Sequence, residues 1–503
     1  MADRAGSRGE QVLAARRESL DRLRAGGVEP FALSLERAIG VPEPDQVEDI
    51  RARFGDLAPG QTTDQARVVA GRVAMVRDMG RLKFLVVRDR TGDLQLVCNE
   101  TDMADREVAV LHEIDLGDIV AATGRVGTTK RGELSIFVER LVLLTKSLRP
   151  PPEKWHGLQD PELKLRQRYL QFATEPESRR PVTARAELLR TMRWVLDERG
   201  FLEVETPVLQ SVAGGAMARP FSTHHNALDT DLFLRISLEL HLKRLLVAGF
   251  ERVYEIGRNF RNEGLGPKYN PEFTMLEVYQ AYADYFDMME LTEALVRESA
   301  KAVTGGTVVT FGGRKLDLGG AWRRITVLGS ASDAVGKDLS LDRPPDELGR
   351  IADEHGVHID PSWGPGKIVL EIYEKLVEPT LYDPTFVMDF PREVSPLARP
   401  HRSDPALTEH VDPVVAGMEL GTAYSELTDP IEQRAKFELQ QQSRRAGDEE
   451  AHPFDEDFLQ ALEHGMPPAG GLGLGVDRLL MILTDRPSIR DVIAFPHVRP
   501  ESG

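Results

Sequence analysis

Five short apolar runs within residues 67–144 constrain the fold more than any other feature of the sequence. The runs are RVVAGRVAMVRD, LKFLVVRD, GDLQLVCN, GDIVAATGRV and GELSIFVERLVLL, and turn residues separate them. Each run has the composition of a strand, and a helical stretch, ADREVAVLHEI, follows the third run. Five strands with a helix after the third predict an OB β-barrel, a common platform for nucleic acids. A small barrel that only packs against its neighbour is the alternative.

The segments on either side of these runs divide the chain into parts. Residues 10–26 have mostly helical apolar spacing and end at two glycines, whereas residues 28–65 have the composition of a loop. Three consecutive prolines begin a linker after the runs. We predict a helix and connecting segment over residues 1–65, the barrel over 66–149, the linker over 150–160, and a further domain over 161–503 with an insertion around 305–410.

The C-terminal part begins with an amphipathic helix, PVTARAELLRTMRWVLDERGF, that ends at Gly200 and leads directly into the strand LEVETPVL. The runs LFLRISLEL, VYEIGRNFR, FTMLEVYQAY and MELGTAYSEL predict further strands before the segment GGLGLGVDRLLMILT. Strands and helices alternate irregularly here, which favours an α+β domain with an antiparallel sheet over a doubly wound one.

Composition limits the classes of function. The chain has 63 Lys and Arg against 81 Asp and Glu, a net charge of −18, which argues against a general polyanion binder. Residues 66–149 differ, with 14 basic against 12 acidic residues. A single cysteine, Cys98, excludes an intramolecular disulfide and suits a reducing cytosol. No run approaches the ~20 apolar residues of a membrane helix, and the N-terminus lacks the apolar core of a signal peptide, so we expect a cytoplasmic protein without a membrane partner.

The glycine-rich stretch at residues 470–478 fits neither of the common phosphate-binding motifs. Val476 breaks the pattern G-x-G-x-x-G, and no G-x-x-x-x-G-K-[ST] string occurs in the chain. Small residues before Arg478 would let the backbone lie close to a flat ligand while the guanidinium stacks on it or pairs with it. A tight turn before a helix is the alternative.

A second cluster of polar residues lies in the strings RNFRNEG and NPEFTMLEVYQAY. Arg261 and Glu263 are two residues apart, so on a strand both would face the same side, one to hold a phosphate and the other to accept from an amine. Phe273, Glu277 and Tyr279 also have even spacing, which places aromatic and acidic groups on one face of a strand. An ordinary surface ion pair is the alternative for Arg261 and Glu263.

Together these segments resemble the class II aminoacyl-tRNA synthetases. The strings GFLEVETPVL, RNE and GLGLGVDR are similar to motifs one, two and three of that class. The longer strings GGAMARPF, ELHLKRL, RNFRNEG, NPEFTMLEVYQAYADY, PTFVMDFPREVSPLAR and YSEL resemble the lysyl-tRNA synthetases of class II, in the same order over nearly the whole chain after residue 10. The resemblance implies an OB anticodon-binding domain followed by a class II catalytic domain with an antiparallel sheet flanked by helices.

The resemblance also implies a reaction and its partners. ATP and L-lysine would form lysyl-adenylate and pyrophosphate, and lysine would then pass to the 3′ end of tRNA(Lys). The lysine carboxylate is already ionised at pH 7, so catalysis would consist of positioning and charge neutralisation, with Mg²⁺ bound together with ATP. Because motif one forms the subunit interface in this class, the resemblance further implies a homodimer.

The residues implied for ATP follow motifs two and three. Two catalytic residues are implied: Arg261 at the α-phosphate and Arg478 over the adenine, with Phe273 under the adenine. Asp412 and Glu419 match the carboxylate pair that holds Mg²⁺, an ion that prefers oxygen ligands. The implied ATP-binding set is Arg261, Glu263, Asn270, Phe273 and Arg478.

The implied lysine pocket is acidic. An ε-ammonium is strongly hydrated and has three donors, so its pocket needs charged acceptors, each hydrogen bond contributing about 1.5–3 kcal/mol. The implied lysine-binding set is Gly215, Glu239, Glu277, Tyr279, Thr422, Tyr424 and Glu426. An aspartyl or asparaginyl enzyme of the same architecture would need a cationic pocket where Glu239 and Glu277 stand.

Three residues of the barrel match family positions that stack on the anticodon and read it. They are Phe84, Gln95 and Glu133. Stacking on an aromatic ring contributes ~1–3 kcal/mol per base in OB folds. The alternatives are a position in the barrel core for Phe84 and ordinary surface positions for the other two.

Four residues depart from the common bacterial pattern of the family. Thr422 stands where an Asn usually contacts lysine, Tyr269 replaces a His, Leu238 replaces a Pro, and Asp412 replaces a Glu. These departures leave open a specialised copy with altered inhibitor tolerance or a non-tRNA acceptor. The protein-modifying relatives lack the OB domain, however, and the lipid-transferring relatives carry membrane spans. A non-enzymatic relative would be expected to lack Arg261 or Arg478.

Overall fold

The structure is a computed structural model that describes residues 2–152, 160–445 and 451–500. Contacts between residues divide the chain into two compact units, Met1–Glu175 and Pro176–Gly503. This division places residues 161–175 with the first unit, whereas the sequence places them in the second domain. Most of the predicted linker, residues 153–159, lies outside the described residues, so the boundaries of the four predicted segments stay predictions.

The first unit contains short helices and one small barrel. Its strands are β1 (Thr62–Met79), β2 (Leu82–Arg88), β3 (Asp93–Asn99), β4 (Ile119–Thr128) and β5 (Leu134–Thr145). Its helices are α1 (Ala2–Ala25), α2 (Leu35–Ile39), α3 (Val47–Phe54), α4 (Asp105–His112), α5 (Pro161–Arg166) and α6 (Arg168–Thr174), with a 3₁₀ turn at Glu100–Asp102.

The five strands close into a barrel in the order β1-β2-β3-β5-β4, and α4 connects β3 to β4. Alternate residues of each strand point inward, as on β2, where Leu85 and Val87 are buried and their neighbours only half-buried. Leu96 of β3 and Ile136 of β5 complete this apolar interior. The predicted OB barrel is confirmed.

Residues 28–65 contain two helices, whereas their composition predicts a loop or connecting segment. Helix α3 buries Val47, Ile50 and Phe54, which are three and four residues apart, as on one face of a helix. Helix α2 begins at the N-cap Ser34, whose hydroxyl accepts from the backbone N–H of Arg37 at 3.1 Å. Prolines and acidic residues around these short helices mask the spacing in the sequence.

The second unit is built on one large sheet. Its strands are β6 (Leu202–Glu203), β7 (Leu209–Gln210), β8 (Ser222–His225), β9 (Thr230–Leu234), β10 (Arg252–Phe260), β11 (Glu272–Ala281), β12 (Val308–Phe311), β13 (Arg314–Asp317), β14 (Arg323–Thr326), β15 (Thr385–Pro391), β16 (Leu407–Val415), β17 (Met418–Glu419), β18 (Gly421–Ser425) and β19 (Ala469–Gly475). Its helices are α7 (Arg180–Asp197), α8 (Glu239–Val247), α9 (Tyr285–Thr304), α10 (Val327–Val335), α11 (Pro345–Glu354), α12 (Pro365–Leu376), α13 (Pro430–Arg445), α14 (Glu456–Glu463), α15 (Val476–Thr484) and α16 (Ile489–Val492), with 3₁₀ turns at Pro176–Arg179, Glu378–Thr380 and Arg392–Val394.

Within the described residues, nine strands form this sheet in the order β14-β15-β16-β18-β19-β11-β10-β6, with β17 beside β16. All central pairs are antiparallel, and only the outer pairs β14–β15 and β10–β6 are parallel. Leu188 of α7, Leu295 of α9 and Leu480 of α15 pack with Leu276 and Leu474 of the sheet in one apolar core. The predicted antiparallel sheet flanked by helices is therefore confirmed.

Two predicted strands are shorter than the sequence indicates. The run LEVETPVL forms only β6 and β7, because Pro207 has no N–H to donate and the Thr206 N–H donates to Glu255 Oε2 at 2.9 Å instead of to a strand. The run LFLRISLEL forms β9 only as far as Leu234, and its last residues begin α8 at Glu239.

The predicted insertion around residues 305–410 is partly continuous with the sheet. Helices α10, α11 and α12 surround a core of their own that includes Leu348 and Ile372. Strands β14 and β15 and the beginning of β16 nevertheless belong to the central sheet, and Phe390 at the end of β15 packs in the helical core.

Candidate active site

A cavity of about 440 Å³ lies in the second unit, against strands β11, β18 and β19. It brings together residues that are up to 274 positions apart in the sequence, from Gly215 to Ile489. Every residue predicted for ATP, lysine or Mg²⁺ lines this cavity except Glu426. The predicted residues on its wall are Gly215, Glu239, Arg261, Glu263, Asn270, Phe273, Glu277, Tyr279, Asp412, Glu419, Thr422, Tyr424 and Arg478.

Two neighbouring strands, β11 and β19, form one wall of the cavity: β11 carries large side chains and β19 carries glycines opposite them. On β11, Phe273, Glu277 and Tyr279 face the cavity, as their even spacing predicts. On the neighbouring β19, Gly473 lies opposite Glu277 and Gly471 lies opposite Tyr279. A Cβ atom on Gly471 would lie 2.6 Å from the Tyr279 ring and would also overlap a carboxylate oxygen of Glu426. The glycine-rich segment is therefore a strand whose missing side chain at Gly471 leaves room for Tyr279 and Glu426, and the tight-turn alternative is wrong.

Two arginines supply positive charge to the cavity. The Arg261 guanidinium lies 5.1 Å from the centre of the Phe273 ring, and the Arg478 guanidinium lies 5.7 Å from that of Tyr269. Arg478 also donates to the backbone oxygen of Glu419 at 2.7 Å. Burial lowers the pKa of Arg261, and repulsion by the charge of Arg478 lowers it further. Within the described residues no carboxylate forms an ion pair with Arg261, so its charge is available to an anionic ligand.

Arg261 and Glu263 lie in the loop after β10, so the prediction that both are on a strand is wrong. Strand β10 ends at Phe260, because the backbone N–H of Asn262 donates to the backbone oxygen of Arg219 at 2.8 Å instead of pairing with β11. The two side chains form no ion pair with each other in the described residues, which removes the surface-pair alternative. Both still line the cavity.

Glu277 is a buried carboxylate that accepts hydrogen bonds from three donors of the protein. One oxygen accepts from the Ser237 hydroxyl at 3.0 Å and from the Leu238 N–H at 2.9 Å, and the other accepts from the Tyr279 hydroxyl at 3.2 Å. Burial raises the pKa of Glu277 to about 7 although these hydrogen bonds oppose the shift. A proline at position 238 could not donate to Glu277, so the departure at Leu238 adds one hydrogen bond to this carboxylate.

The structure adds a cation that the sequence analysis did not predict. Lys243 Nζ lies 2.5 Å from Glu239 Oε1 and 2.5 Å from Glu426 Oε2, and the Lys243 side chain is 0% exposed. In the described part of the chain this ion pair is the only polar contact of the Glu426 side chain. The spacing of Glu239 and Lys243 on α8 was visible in the sequence, whereas the approach of Glu426 was not.

His410 connects two of the positions that depart from the family pattern. Its Nε2 lies 2.8 Å from the Thr422 hydroxyl and 2.9 Å from Asp412 Oδ1, and its Nδ1 lies 2.8 Å from the Ser395 hydroxyl. The imidazole stacks on Phe390 with ring centres 3.7 Å apart. The hydroxyl of Thr422 is thus engaged by His410, a residue that sequence reasoning missed.

A second histidine fixes the backbone beside the carboxylates. The N–H of Gly215 donates to His452 Nε2 at 2.8 Å, which makes Nδ1 the protonated nitrogen that donates to the Pro453 oxygen at 2.7 Å. Burial lowers the pKa of His452 to about 4, so the ring is neutral at pH 7. Gly215 has φ +89, and a Cβ there would lie 3.0 Å from Ser237. No sequence signal links His452 to Gly215 across 237 positions.

Asp412 and Glu419 provide carboxylate oxygens, which are ligands that Mg²⁺ prefers. Burial raises the pKa of Glu419, Arg478 opposes the shift, and the charge of Asp412 adds to it, so a bound cation would relieve this repulsion. No group of three or more His, Cys, Asp or Glu side chains in the described ranges has the arrangement of a metal site. Mg²⁺ often binds through one or two carboxylates together with substrate phosphates, which is what two carboxylates in an ATP cavity would provide.

Two of the three predicted anticodon residues, Phe84 and Gln95, lie on neighbouring strands of the barrel in the first unit, and the third, Glu133, directly precedes β5. Phe84 on β2 is half-buried and faces away from the apolar interior, so the barrel-core alternative is wrong for this ring. Gln95 on β3 donates to the Ser135 hydroxyl at 2.9 Å, and Ser135 donates to the backbone oxygen of Glu133 at 3.0 Å. The barrel thus presents a ring beside polar groups.

Comparisons with known proteins agree with this geometry. Residues 160–499 match the family of tRNA synthetases class II (D, K and N), and residues 68–144 match the OB-fold nucleic acid binding domain. The chain belongs to the class II tRNA synthetases. No helix in the described residues of this synthetase is long and apolar enough to cross a membrane.

Curated relatives cover nearly the whole synthetase chain. The lysine–tRNA ligase of Moorella thermoacetica is 50% identical over 490 residues, which cover 97% of this chain and 98% of the relative. The lysine–tRNA ligase of a Synechococcus species is 49% identical over 487 residues, 97% of this chain and 98% of the relative. That of Thermosynechococcus vestitus is 47% identical over 515 residues, 100% of this chain and 99% of the relative.

Proposed function

We propose that this synthetase is a lysine–tRNA ligase, which activates L-lysine with ATP and transfers it to the 3′ end of tRNA(Lys) in the cytoplasm. The observation that carries the proposal is the distribution of charge along β11. Phe273, with Arg261 above it, and the buried Glu277 face the same cavity four residues apart, which is about 13 Å along a strand. That separation suits a nucleotide at one end and the ammonium of a long amino acid at the other.

The first step requires positioning and no proton transfer. A carboxylate oxygen of lysine forms a bond to the α-phosphorus of ATP, and the bond from that phosphorus to the pyrophosphate oxygen breaks. Arg261 and Arg478 neutralise charge that builds up on the phosphate oxygens, and Phe273 supports the adenine. Asp412 and Glu419 would hold Mg²⁺, which neutralises the triphosphate when bound. In the second step a terminal ribose hydroxyl of tRNA attacks the carbonyl carbon and AMP leaves.

The cavity selects a cationic side chain. Glu239 and Glu277 both line it, whereas an aspartyl or asparaginyl substrate would need donors at these positions. Tyr279 and Tyr424 provide apolar ring surface for the methylene stem.

We expect lysine alone among the twenty amino acids to support rapid ATP–pyrophosphate exchange. Arginine has a larger, planar head group and ornithine has one methylene fewer, so both should have at least a tenfold lower kcat/KM, from the loss of about 1.4 kcal/mol or more. The measurement is exchange of labelled pyrophosphate into ATP with each amino acid. A preference for aspartate or asparagine would contradict the proposal.

We further propose that the barrel binds the anticodon of tRNA(Lys). The support is the outward-facing Phe84 ring beside Gln95, together with the match of residues 68–144 to a nucleic acid binding domain.

We also propose that the protein is a homodimer. Trp194 of α7, Leu202 of β6 and Leu209 of β7 are 55%, 49% and 47% exposed, an unusual amount of apolar surface within one segment. A two-fold interface over this segment would bury these side chains against their copies. Sedimentation at micromolar concentration should give twice the chain mass of 56.0 kDa, and Trp194→Glu should lower it towards one chain. A wild-type protein that sediments as a monomer would refute the dimer.

A further inference from the structure

The ammonium of Lys243 lies between the carboxylates of Glu239 and Glu426, beside a pocket that is proposed to bind the ammonium of the substrate. Glu239 lines the cavity, whereas Glu426 does not, and in the described part of the chain the Glu426 carboxylate forms an ion pair only with Lys243. The three side chains are 6%, 0% and 0% exposed for Glu239, Glu426 and Lys243, so water does not screen their charges. A buried lysine is costly unless it is paired, and here it is paired twice.

The presence of Lys243 determines whether its partners can be anionic. Burial raises the pKa of Glu239 and raises that of Glu426 to about 8, and in both cases Lys243 is the largest influence that opposes the shift. Burial also disfavours the charged form of Lys243, but the two carboxylates outweigh it and raise its pKa. Without Lys243, the two carboxyl groups and Glu277 would form a buried cluster of like charges, which is relieved by taking up protons. Protonated carboxyl groups no longer attract a cation.

We propose that Lys243 is a positioning residue for amino-acid recognition: it keeps Glu239, the partner that lines the cavity, ionised near neutral pH, and thereby keeps the pocket anionic for the substrate ammonium. The inference deepens the proposed function and rests on it, because it assumes that lysine is the ligand. Lys243 acts through Glu239 and does not line the cavity itself.

The charged and titratable groups that influence this triad come from several elements. Besides Glu239 on its own helix, they are Glu277 and Tyr279 of β11, Tyr424 of β18, Glu426 after β18, Lys436 of α13 and His452 before α14. His452 is neutral at pH 7, and burial lowers the pKa of Lys436 to about 8, so Lys243 is the one cation in this set that touches the carboxylates of the pocket.

The test is the pH dependence of lysine-dependent pyrophosphate exchange in Lys243→Met. We expect kcat/KM for lysine to fall at least tenfold at pH 7, mainly through KM, and the midpoint of its acid limb to move at least one unit upward. At pH 9 the difference from wild type should shrink to less than threefold, because hydroxide then ionises the carboxyl groups without help. KM for ATP should stay within twofold. A variant with the wild-type midpoint, or with a deficit that is equal at every pH, would overturn the proposal.

The matched control is Lys436→Met, which removes another buried ammonium of the same unit. Lys436 donates to the backbone oxygens of Ser395 and Ala398 at 3.3 and 2.9 Å and touches no carboxylate of the pocket. We expect the acid limb of kcat/KM for lysine in Lys436→Met to have the same midpoint as in the wild type. A shift as large as that of Lys243→Met would show that loss of any buried charge moves the profile, and would refute a specific role.

A second measurement uses the wild-type protein and does not depend on whether the variant folds. Lysine binding without ATP is followed by calorimetry in buffers of different ionisation enthalpy, which counts the protons released. If Lys243 keeps Glu239 ionised, only Glu277, with its pKa of about 7, gives up about half a proton to lysine binding at pH 7. Release of more than one proton would mean that Glu239 is also protonated in the free protein and would refute the inference. Absence of lysine binding and exchange in the wild type would instead refute the proposed function.

Discussion

Glu277→Gln should lower kcat/KM for lysine in pyrophosphate exchange at least a hundredfold. Glu277 is 3% exposed, and its two oxygens accept from Ser237, Leu238 and Tyr279, so its negative charge is held in place with little water to compensate for its loss. A hydrogen bond to a charged group contributes about 1.5–3 kcal/mol, and loss of the charge also leaves the substrate ammonium without its partner in a closed site. Because charging of tRNA requires the adenylate, aminoacylation should fall by the same factor.

The matched control for Glu277 is Glu272→Gln on the same strand. Glu272 lies on β11 but does not line the cavity, and it forms an ion pair with Arg258 at 3.5 Å. Its exchange activity should stay within twofold of the wild type. Equal losses in Glu272→Gln and Glu277→Gln would mean that damage to β11, and not loss of the pocket charge, causes the effect.

The raised pKa of Glu277 gives this prediction a second, independent readout. Burial places its pKa at about 7 in the free protein, so the carboxylate form that attracts lysine is lost as the pH falls through 7. In the wild type, kcat/KM for lysine should decrease about tenfold per pH unit below this value, since that parameter reports the free protein. Glu277→Gln should lose this contribution to the acid limb. A wild-type profile that is flat between pH 5.5 and 7.5 would contradict the assignment.

Local patterns in the sequence were sufficient to predict the parts of the site that lie on one strand. The even spacing of Phe273, Glu277 and Tyr279 placed them on one face of β11, and the resemblance supplied their partners on other segments. Arg261 and Glu263 both line the cavity, but the prediction that they lie on a strand was wrong. Where a strand ends depends on which backbone oxygen accepts each N–H. The N–H of Asn262 donates to the backbone oxygen of Arg219, and a pattern of side chains does not contain that information.

The residues that the sequence did not reveal act through contacts between distant segments. Lys243 lies four residues after Glu239, a spacing typical of an exposed helical ion pair, and only the fold shows that both are buried and that Glu426 completes the group. His452 is isolated in the sequence and meets Gly215 only in the folded chain. Buried polar networks of this kind depend on burial, which a charge pattern alone does not define.

Phe84→Ala combined with Gln95→Ala should separate tRNA charging from lysine activation. Both residues belong to the first unit, whereas every residue that lines the cavity belongs to the second. Loss of one stacked base and one polar contact should weaken tRNA binding by about 2–4 kcal/mol, or roughly 30- to 800-fold in kcat/KM for tRNA. Lysine-dependent pyrophosphate exchange without tRNA should stay within twofold of the wild type.

The control for the barrel variant is Leu33→Ala with Gln65→Ala, which removes one exposed apolar and one exposed amide side chain from the same unit. It should charge tRNA within threefold of the wild type. Because Phe84 faces away from the apolar interior, the barrel of the Phe84 and Gln95 variant should keep its melting temperature, which circular dichroism of the full chain can verify. If that variant is folded and charges tRNA at the wild-type rate, the anticodon assignment is wrong.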